Sequence, residues 1–145
     1  MEILNRKARH DYFILDTYEA GISLKGTEVK SIRQGKMNIK DSYVIIKNNE
    51  AYLLNTSISL YDEGNRFNHL ENRTRKLLLH KKEILKLKEK IEKEGYTIIP
   101  LKVYFVKNKV KVEIGLARGK KTYDKREDIK KKDIEREIAK NYKLR

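Results

Sequence analysis

Residues 95–117 read GYTIIPLKVYFVKNKVKVEIGLA, and their pattern decides the class of fold. The run 97–106 is dominated by β-branched and aromatic side chains. In the following run, 109–116, Val110, Val112 and Ile114 alternate with mostly polar neighbours, the period of a strand with one face in a core. Asn108 sits between the two runs at a residue type suited to positive φ, so the stretch reads as a long β-hairpin. Pro100 is the only proline in the chain. It has no N–H for a ladder, so its place within a strand implies an edge position or a bulge.

Working outward, the run 42–47 turns through Asn48-Asn49 into 50–54 as a second hairpin, and 12–15 and 21–24 are further strand-like runs. One helix is well marked toward its C-terminal neighbour. From about His80 to Glu94, Ile84, Leu87 and Ile91 recur at i, i+3 and i+7, and Gly95 stands where a left-handed cap belongs. A shorter helix is expected from Thr27, as N-cap, through Val29 and Ile32 to Gly35. The polar stretch from Asp62 through Asn72 reads as an exposed loop. Many short antiparallel strands with two helices between them predict a mainly β (α+β) fold: a closed or nearly closed barrel of the oligonucleotide-binding kind with accessory helices.

The 145-residue chain carries 35 Lys and Arg against 21 Asp and Glu, a formal charge of +14. Such an excess favours polyanions without naming one, since nucleic acid, an anionic membrane and acidic proteins all attract it. No apolar run approaches the roughly 18 residues of a spanning helix, and MEILNRKARHDY at the start has no signal-peptide pattern. The chain therefore reads as cytoplasmic, with no membrane partner. It has no cysteine, which excludes disulfides and thiolate metal sites. Roughly 115 residues precede a charged end, enough for one domain. The expected partition is a barrel over 1–117 and a basic tail over 118–145, where twelve Lys and Arg face six Asp and Glu.

Enzymatic chemistry is poorly supported. Gly115-Leu116-Ala117-Arg118-Gly119-Lys120-Lys121 has only three residues between its glycines, and Lys121 stands where a P-loop needs Ser or Thr. His10, His69 and His80 lack the spacing of a metal site. A nuclease would draw on His10-Asp11, Glu19 and Glu28, but adjacent side chains in a strand point to opposite faces, so His10-Asp11 would be a poor dyad there. No cofactor is implied. The basic groups are more informative: Arg6, Lys7 and Arg9; Lys30, Arg33 and Lys36; Arg73, Arg75 and Lys76. Each alone is an ordinary solvated charge. With Tyr12, Tyr18 and Tyr43 among them, they combine cations with rings, as proteins do to hold phosphates and stack unpaired bases.

Five stretches carry a resemblance: HDYFI from His10, EAGISLKGTEVKSIRQGKMNIKDSYV from Glu19, RTRKLLLHKKEI from Arg73, GYTIIPLKVYF from Gly95 and GLARGKKTYDKRE from Gly115. In this order they closely resemble the small protein B family, the SsrA-binding proteins of bacteria. The match runs over essentially the whole chain and is least distinctive at 61–72 and in the last fifteen residues. It implies an oligonucleotide-binding barrel and an RNA-binding adaptor that is not an enzyme. Such an adaptor binds the tRNA-like domain of transfer-messenger RNA (tmRNA, or SsrA RNA) and accompanies it, as a monomer, to stalled ribosomes for tagging of the nascent chain.

Carried over by position, the resemblance implies tmRNA recognition by Glu19, Leu78 and His80, with His10 on the same surface. The basic reading adds Lys7, Arg9, Tyr12, Lys30, Arg33 and Arg75. Glu19 is open to three readings: acceptor for base edges, orienter of a neighbouring Arg or Lys, or structural salt bridge. In the tail, the resemblance implies that Gly119, Lys120 and Lys121 mark the exit from the barrel. Asp124, Lys125 and Arg126 would then enter the decoding region beside Tyr123 as a stacking ring. Farther on, Ile134, Ile138 and Tyr142 make a thin helical stripe, expected to order only on the ribosome. The alternative is a generic barrel for single-stranded nucleic acid or ribosomal RNA.

Overall fold

In the computed structural model, which describes residues 2–61 and 68–120, the elements in chain order are β1 (Glu2–Leu4), α1 (Ala8–Asp11), β2 (Tyr12–Ile22), α2 (Gly26–Arg33), β3 (Met37–Asn38), β4 (Tyr43–Lys47), β5 (Glu50–Leu54), β6 (Ser57–Ile58), β7 (Arg75–Leu78), α3 (Lys81–Glu94), β8 (Thr97–Val106) and β9 (Lys109–Gly119). The fold is mainly β with a few helices. Antiparallel pairing runs from β8 to β4, β5, β7, β2 and β9, and β9 returns to β8. The ladder thus closes on itself as a ring. β1 pairs with β8 beside residues 102–104, and β3 and β6 form a separate small sheet.

Both expected hairpins form. Asn48 and Asn49 have φ of 53° and 59°, and Lys107 and Asn108 have 48° and 67°. Two successive left-handed residues match the twist of the strands they join, which is why Asn recurs at these turns. Pro100 sits at a bulge: the β8–β9 register shifts between Pro100 and Lys102. Its carbonyl accepts a hydrogen bond from Asn5 Nδ2 at 2.9 Å. The two early strand-like runs are in fact one strand, β2, with a register shift between Ile14 and Asp16. Leu15, Asp16 and Thr17 are exposed at that shift, and beyond it Glu19 faces solvent while Tyr18 packs on the core and Ala20 is buried, so the polarity marks a bulge and an exposed face and not a break.

Ala20, Val44, Leu53, Leu77, Ile98, Val103, Val112 and Ile114 form the ring's core, joined by Ile32 of α2 and Leu87 of α3. Leu87 is fully buried, a contribution of roughly 1.5–3 kcal/mol. A second cluster of Ala8, Ile99, Leu101 and Ala117 lies beside α1, with Tyr12 and Ile14 packed against it. In α3 the apolar stripe is buried as its spacing predicts, and Gly95 caps the helix at φ 68°.

The short helix differs at its start. Lys25, not Thr27, is the N-cap, and Glu28 Oε1 accepts the Lys25 N–H at 2.8 Å. Thr27 Oγ1 is instead 2.9 Å from His69 Nδ1, and His69 Nε2 is 2.9 Å from the Ile58 carbonyl oxygen. His69 is buried. The expected exposed loop is therefore tied down at His69, while residues 62–67 lie outside the described residues. The sheet also outlasts the expected boundary at 117. Arg118 and Gly119 still pair with Phe13 and Tyr12, and the Lys120 N–H donates to the Asp11 carbonyl at 2.8 Å.

Candidate nucleic-acid interface

Strand β7 ends at Leu78 and α3 begins just beyond His80, so this short connection presents both side chains beside β2 and β9. Leu78 is 53% exposed, far from a core position. It is aimed outward because Leu77 takes the inward place and strand side chains alternate. Together with Glu19, Gly21, Ile22, Leu24, Val29 and His80, it lines a cleft of about 600 Å³ whose other wall includes Lys109 and Lys111. Glu19, Leu78 and His80 are separated by up to 61 positions in sequence, yet the ring brings them to one opening. The His80 N–H donates to Glu83 Oε1 at 3.0 Å, which holds the start of α3 in place.

Glu19 has a partner the sequence did not name. Tyr104 donates its hydroxyl to Glu19 Oε2 at 2.5 Å. Burial first, then this hydrogen bond and the charges of Glu19, Glu113 and Glu2, push the Tyr104 phenol well above its ordinary value of 10.0. The phenol therefore remains a donor throughout the neutral range. Among the described residues no Lys or Arg forms an ion pair with Glu19, which removes the salt-bridge reading. Lys102 is occupied elsewhere, 3.5 Å from Glu2 Oε2 and 4.0 Å from Glu113 Oε2.

The other candidates divide. Lys7, Arg9 and His10 are exposed on and beside α1, and Lys7 and Tyr12 line a second opening of about 230 Å³ with Asp41 and Tyr43. Tyr12 is half-buried against the second apolar cluster, so its ring serves packing there. His10 and Asp11 do meet, at 2.9 Å, because they stand in a helical turn and not in a strand. Lys30 lies 5.4 Å from the Tyr61 ring centroid and Arg33 lies 4.7 Å from that of Phe105. Such contacts hold a cation over an aromatic face while leaving it near solvent.

Arg75 corrects the sequence reading. It is fully buried and makes no surface. Its Nε donates to Glu28 Oε2 at 2.6 Å, and its remaining N–H groups reach the carbonyls of Thr56, Arg73, Leu70 and Glu71 at 2.8–3.2 Å. Five donors in a planar fork are all matched, a task a lysine cannot perform. Arg73 Nη2 completes the pairing at 2.6 Å from Glu28 Oε1. Glu28 is thus structural and unavailable as a catalytic base. Basic residue type alone made Arg75 and Lys76 look alike; alternation along β7, which turns Arg75 inward with Leu77 and Lys76 outward, was the signal that distinguished them.

At the end of the sheet, Gly119 is the last residue of β9, and Lys120 Nζ lies 4.6 Å from the Phe13 centroid, with Arg118 at 4.9 Å from the same ring. Lys121, Tyr123, Asp124, Lys125 and Arg126 lie outside the described residues. Tyr104, Lys109 and Lys111 were missed by sequence reading. The two lysines were legible as polar positions of an alternating strand, whereas nothing local links Tyr104 to Glu19. Among the described residues, no group of three or more His, Asp or Glu side chains could hold a metal, and no helix is long and apolar enough to cross a membrane.

A ring of antiparallel strands, a strongly basic surface and a cleft with apolar walls and lysines define a class: a small β protein built for nucleic-acid recognition. The chain belongs to the SmpB protein family, whose profile matches residues 2–144. Among its relatives, the SsrA-binding protein of Geotalea uraniireducens is 62% identical over 135 residues, covering 93% of this chain and 89% of that one. The SsrA-binding protein of Staphylococcus aureus (strain JH1) is 58% identical over 141 residues, covering 97% and 92%. A solved structure described as "tmRNA-SmpB: a journey to the center of the bacterial ribosome" is 52% identical, covers 83% of this chain and 85% of its own, and has a TM-score of 0.69.

Proposed function

We propose that this chain is an RNA-binding adaptor that binds the tRNA-like domain of SsrA RNA and brings it to stalled ribosomes in trans-translation. The single observation that carries the assignment to a site is the convergence of Glu19, Leu78 and His80 in one cleft. The names of its relatives, SsrA-binding protein, and the solved tmRNA-SmpB structure support the RNA and the ribosome as partners. In this reading the closed ring is an oligonucleotide-binding barrel, the cleft receives irregular RNA, and the exposed cations of α1 and α2 hold flanking phosphates. The protein is cytoplasmic, acts as a monomer and has no catalytic step of its own. The segment after Lys120 occupies the empty mRNA path near the decoding centre, with Lys121, Tyr123, Asp124, Lys125 and Arg126 as its contacts.

Sequencing the RNA that copurifies with the full chain tests the assignment. One long RNA ending in a tRNA-like acceptor is the expected result. A spread of unrelated single-stranded fragments would instead identify a generic binder.

A further inference from the structure

A carboxylate repels phosphate, so Glu19 at an RNA-binding cleft needs a donor to face, and its surroundings restrict which donor. Tyr104 holds Oε2 from across β9 at 2.5 Å. A phenol fixes the carboxylate without neutralising it. Each carboxylate oxygen has about two lone-pair sites; among the described residues Oε1 accepts no hydrogen bond and Oε2 accepts one. Lys102, a cation on the same face of the sheet, is drawn to Glu2 and Glu113 and lies 5.3 Å from the centroid of the Tyr104 ring. What remains is a charged, oriented pair of acceptors beside apolar walls formed by Ile22, Leu24 and Leu78, in a cleft of about 600 Å³.

The unpaired bases of RNA are read on their exposed edges and stacked on aromatic rings or guanidinium planes, and their faces bury apolar area against side chains such as leucine. Guanine alone offers two adjacent N–H donors on one edge, its N1 imino and N2 amino groups, spaced like the two oxygens of a carboxylate. Adenine and cytosine put an acceptor beside their amino group. Uracil flanks its imino group with two acceptors. Each of those edges sets a lone pair against a carboxylate oxygen.

We propose that Glu19, oriented by Tyr104, receives the two-donor edge of an unpaired guanine, with the exposed Leu78 against the base and Lys109 and Lys111 toward the flanking phosphates. Glu19 touches the ligand; Tyr104 is a positioning residue. Gly21 belongs to the same arrangement, since a Cβ there would stand 3.2 Å from Leu78 Cβ and push that leucine. The proposal deepens the RNA-adaptor reading and rests on it.

The test titrates the full chain with an SsrA RNA transcript and with transcripts carrying inosine for guanine at each unpaired position in turn. Inosine lacks only the exocyclic amino group. At one position the substitution is expected to weaken binding to the wild-type protein about ten-fold, within the range of a good bidentate base contact. The same transcript should cause little further loss for Glu19→Gln, and Tyr104→Phe should lower the guanine-over-inosine ratio. A merely structural tyrosine would leave that ratio unchanged. If every inosine transcript binds like the parent, or if the Glu19→Gln and inosine losses multiply, guanine reading is overturned while the adaptor reading stands. If the parent transcript binds no better than an unstructured oligonucleotide, both fall.

Discussion

Glu28 and Arg75 face one another inside the protein, Oε2 to Nε at 2.6 Å, with both side chains fully buried. The pair ties α2 to β7 directly beneath the segment that ends in Leu78. The candidate RNA cleft, lined by Val29 of α2 and Leu78 of β7, therefore rests on a polar strut as well as on apolar packing.

Removing one half of the strut leaves the other buried without its partner. Arg75→Met is expected to destabilise the fold by roughly 3–5 kcal/mol, read as a shift in urea midpoint. Arg75→Lys should rescue little, because a single ammonium cannot reproduce five directed N–H bonds. Near-wild-type stability in the lysine variant would show that charge, and not the guanidinium fork, is what matters.

The same pair predicts an acid-sensitive fold. Burial by itself raises the Glu28 carboxyl, but hydrogen bonds from Arg73, the Lys25 N–H and Arg75, with the Arg75 charge, outweigh it and hold the group below its ordinary 4.5. A carboxyl depressed in the folded state stabilises above its unfolded pKa, and that stability is lost as pH falls through the folded value. Unfolding midpoints should drop steeply below about pH 4.5 in the wild type. In Glu28→Gln the starting stability should be lower and the acid limb shallower. Parallel acid limbs for the two proteins would assign the sensitivity to other carboxylates.

Leu78 contributes little to folding because 53% of it is already in water. Leu78→Ala should therefore leave the thermal midpoint almost unchanged while weakening SsrA RNA binding by about 1–2 kcal/mol, the scale of two buried methylene-sized groups no longer covered by a base. Gly21→Val should act in the same direction by displacing Leu78. A large drop in thermal stability with RNA affinity preserved would make Leu78 a packing residue.

The end of the sheet sets where the chain can be cut. Truncation after Lys120 keeps the Arg118 and Gly119 pairings and the Lys120 bond to Asp11, so folding and SsrA RNA affinity are expected to persist while tagging on stalled ribosomes is lost. Truncation after Ala117 removes those pairings and should lower the thermal midpoint. Wild-type tagging by the protein cut after Lys120 would exclude the tail from the ribosomal step.

Charge reversal of Lys7, Arg9 and Arg33 should weaken RNA binding and flatten its salt dependence, by up to about 0.7–0.9 in log–log slope for each phosphate no longer neutralised. Arg33 also stacks on Phe105, so its reversal alone should carry a small stability loss. Titration across a salt series separates the effects: an unchanged slope would take these residues out of the phosphate footprint.

Much of the fold was readable from sequence because its causes are local. Alternation in 109–116, paired left-handed asparagines and the Ile84, Leu87, Ile91 stripe each reflect interactions within a few residues. The motifs around Glu19 and Leu78 were likewise legible as short strings. Thr27 was misread because the capping carboxylate of Glu28 follows it, and a sequence pattern does not say which of two adjacent polar residues a distant His69 will recruit.

By itself, then, the sequence determined the strand and helix segments, the sign of the charge and the family, since propensity, periodicity and ordered motifs require no knowledge of the fold. Only the tertiary structure decided which cations face water. It buried Arg75 and exposed Leu78 although both lie in the same four-residue strand, and it carried Tyr104 to Glu19 across 85 positions. The physical reason is that closing the ring fixes an inside and an outside. Burial, partner choice and the shape of the cleft follow from that division, which no single segment contains.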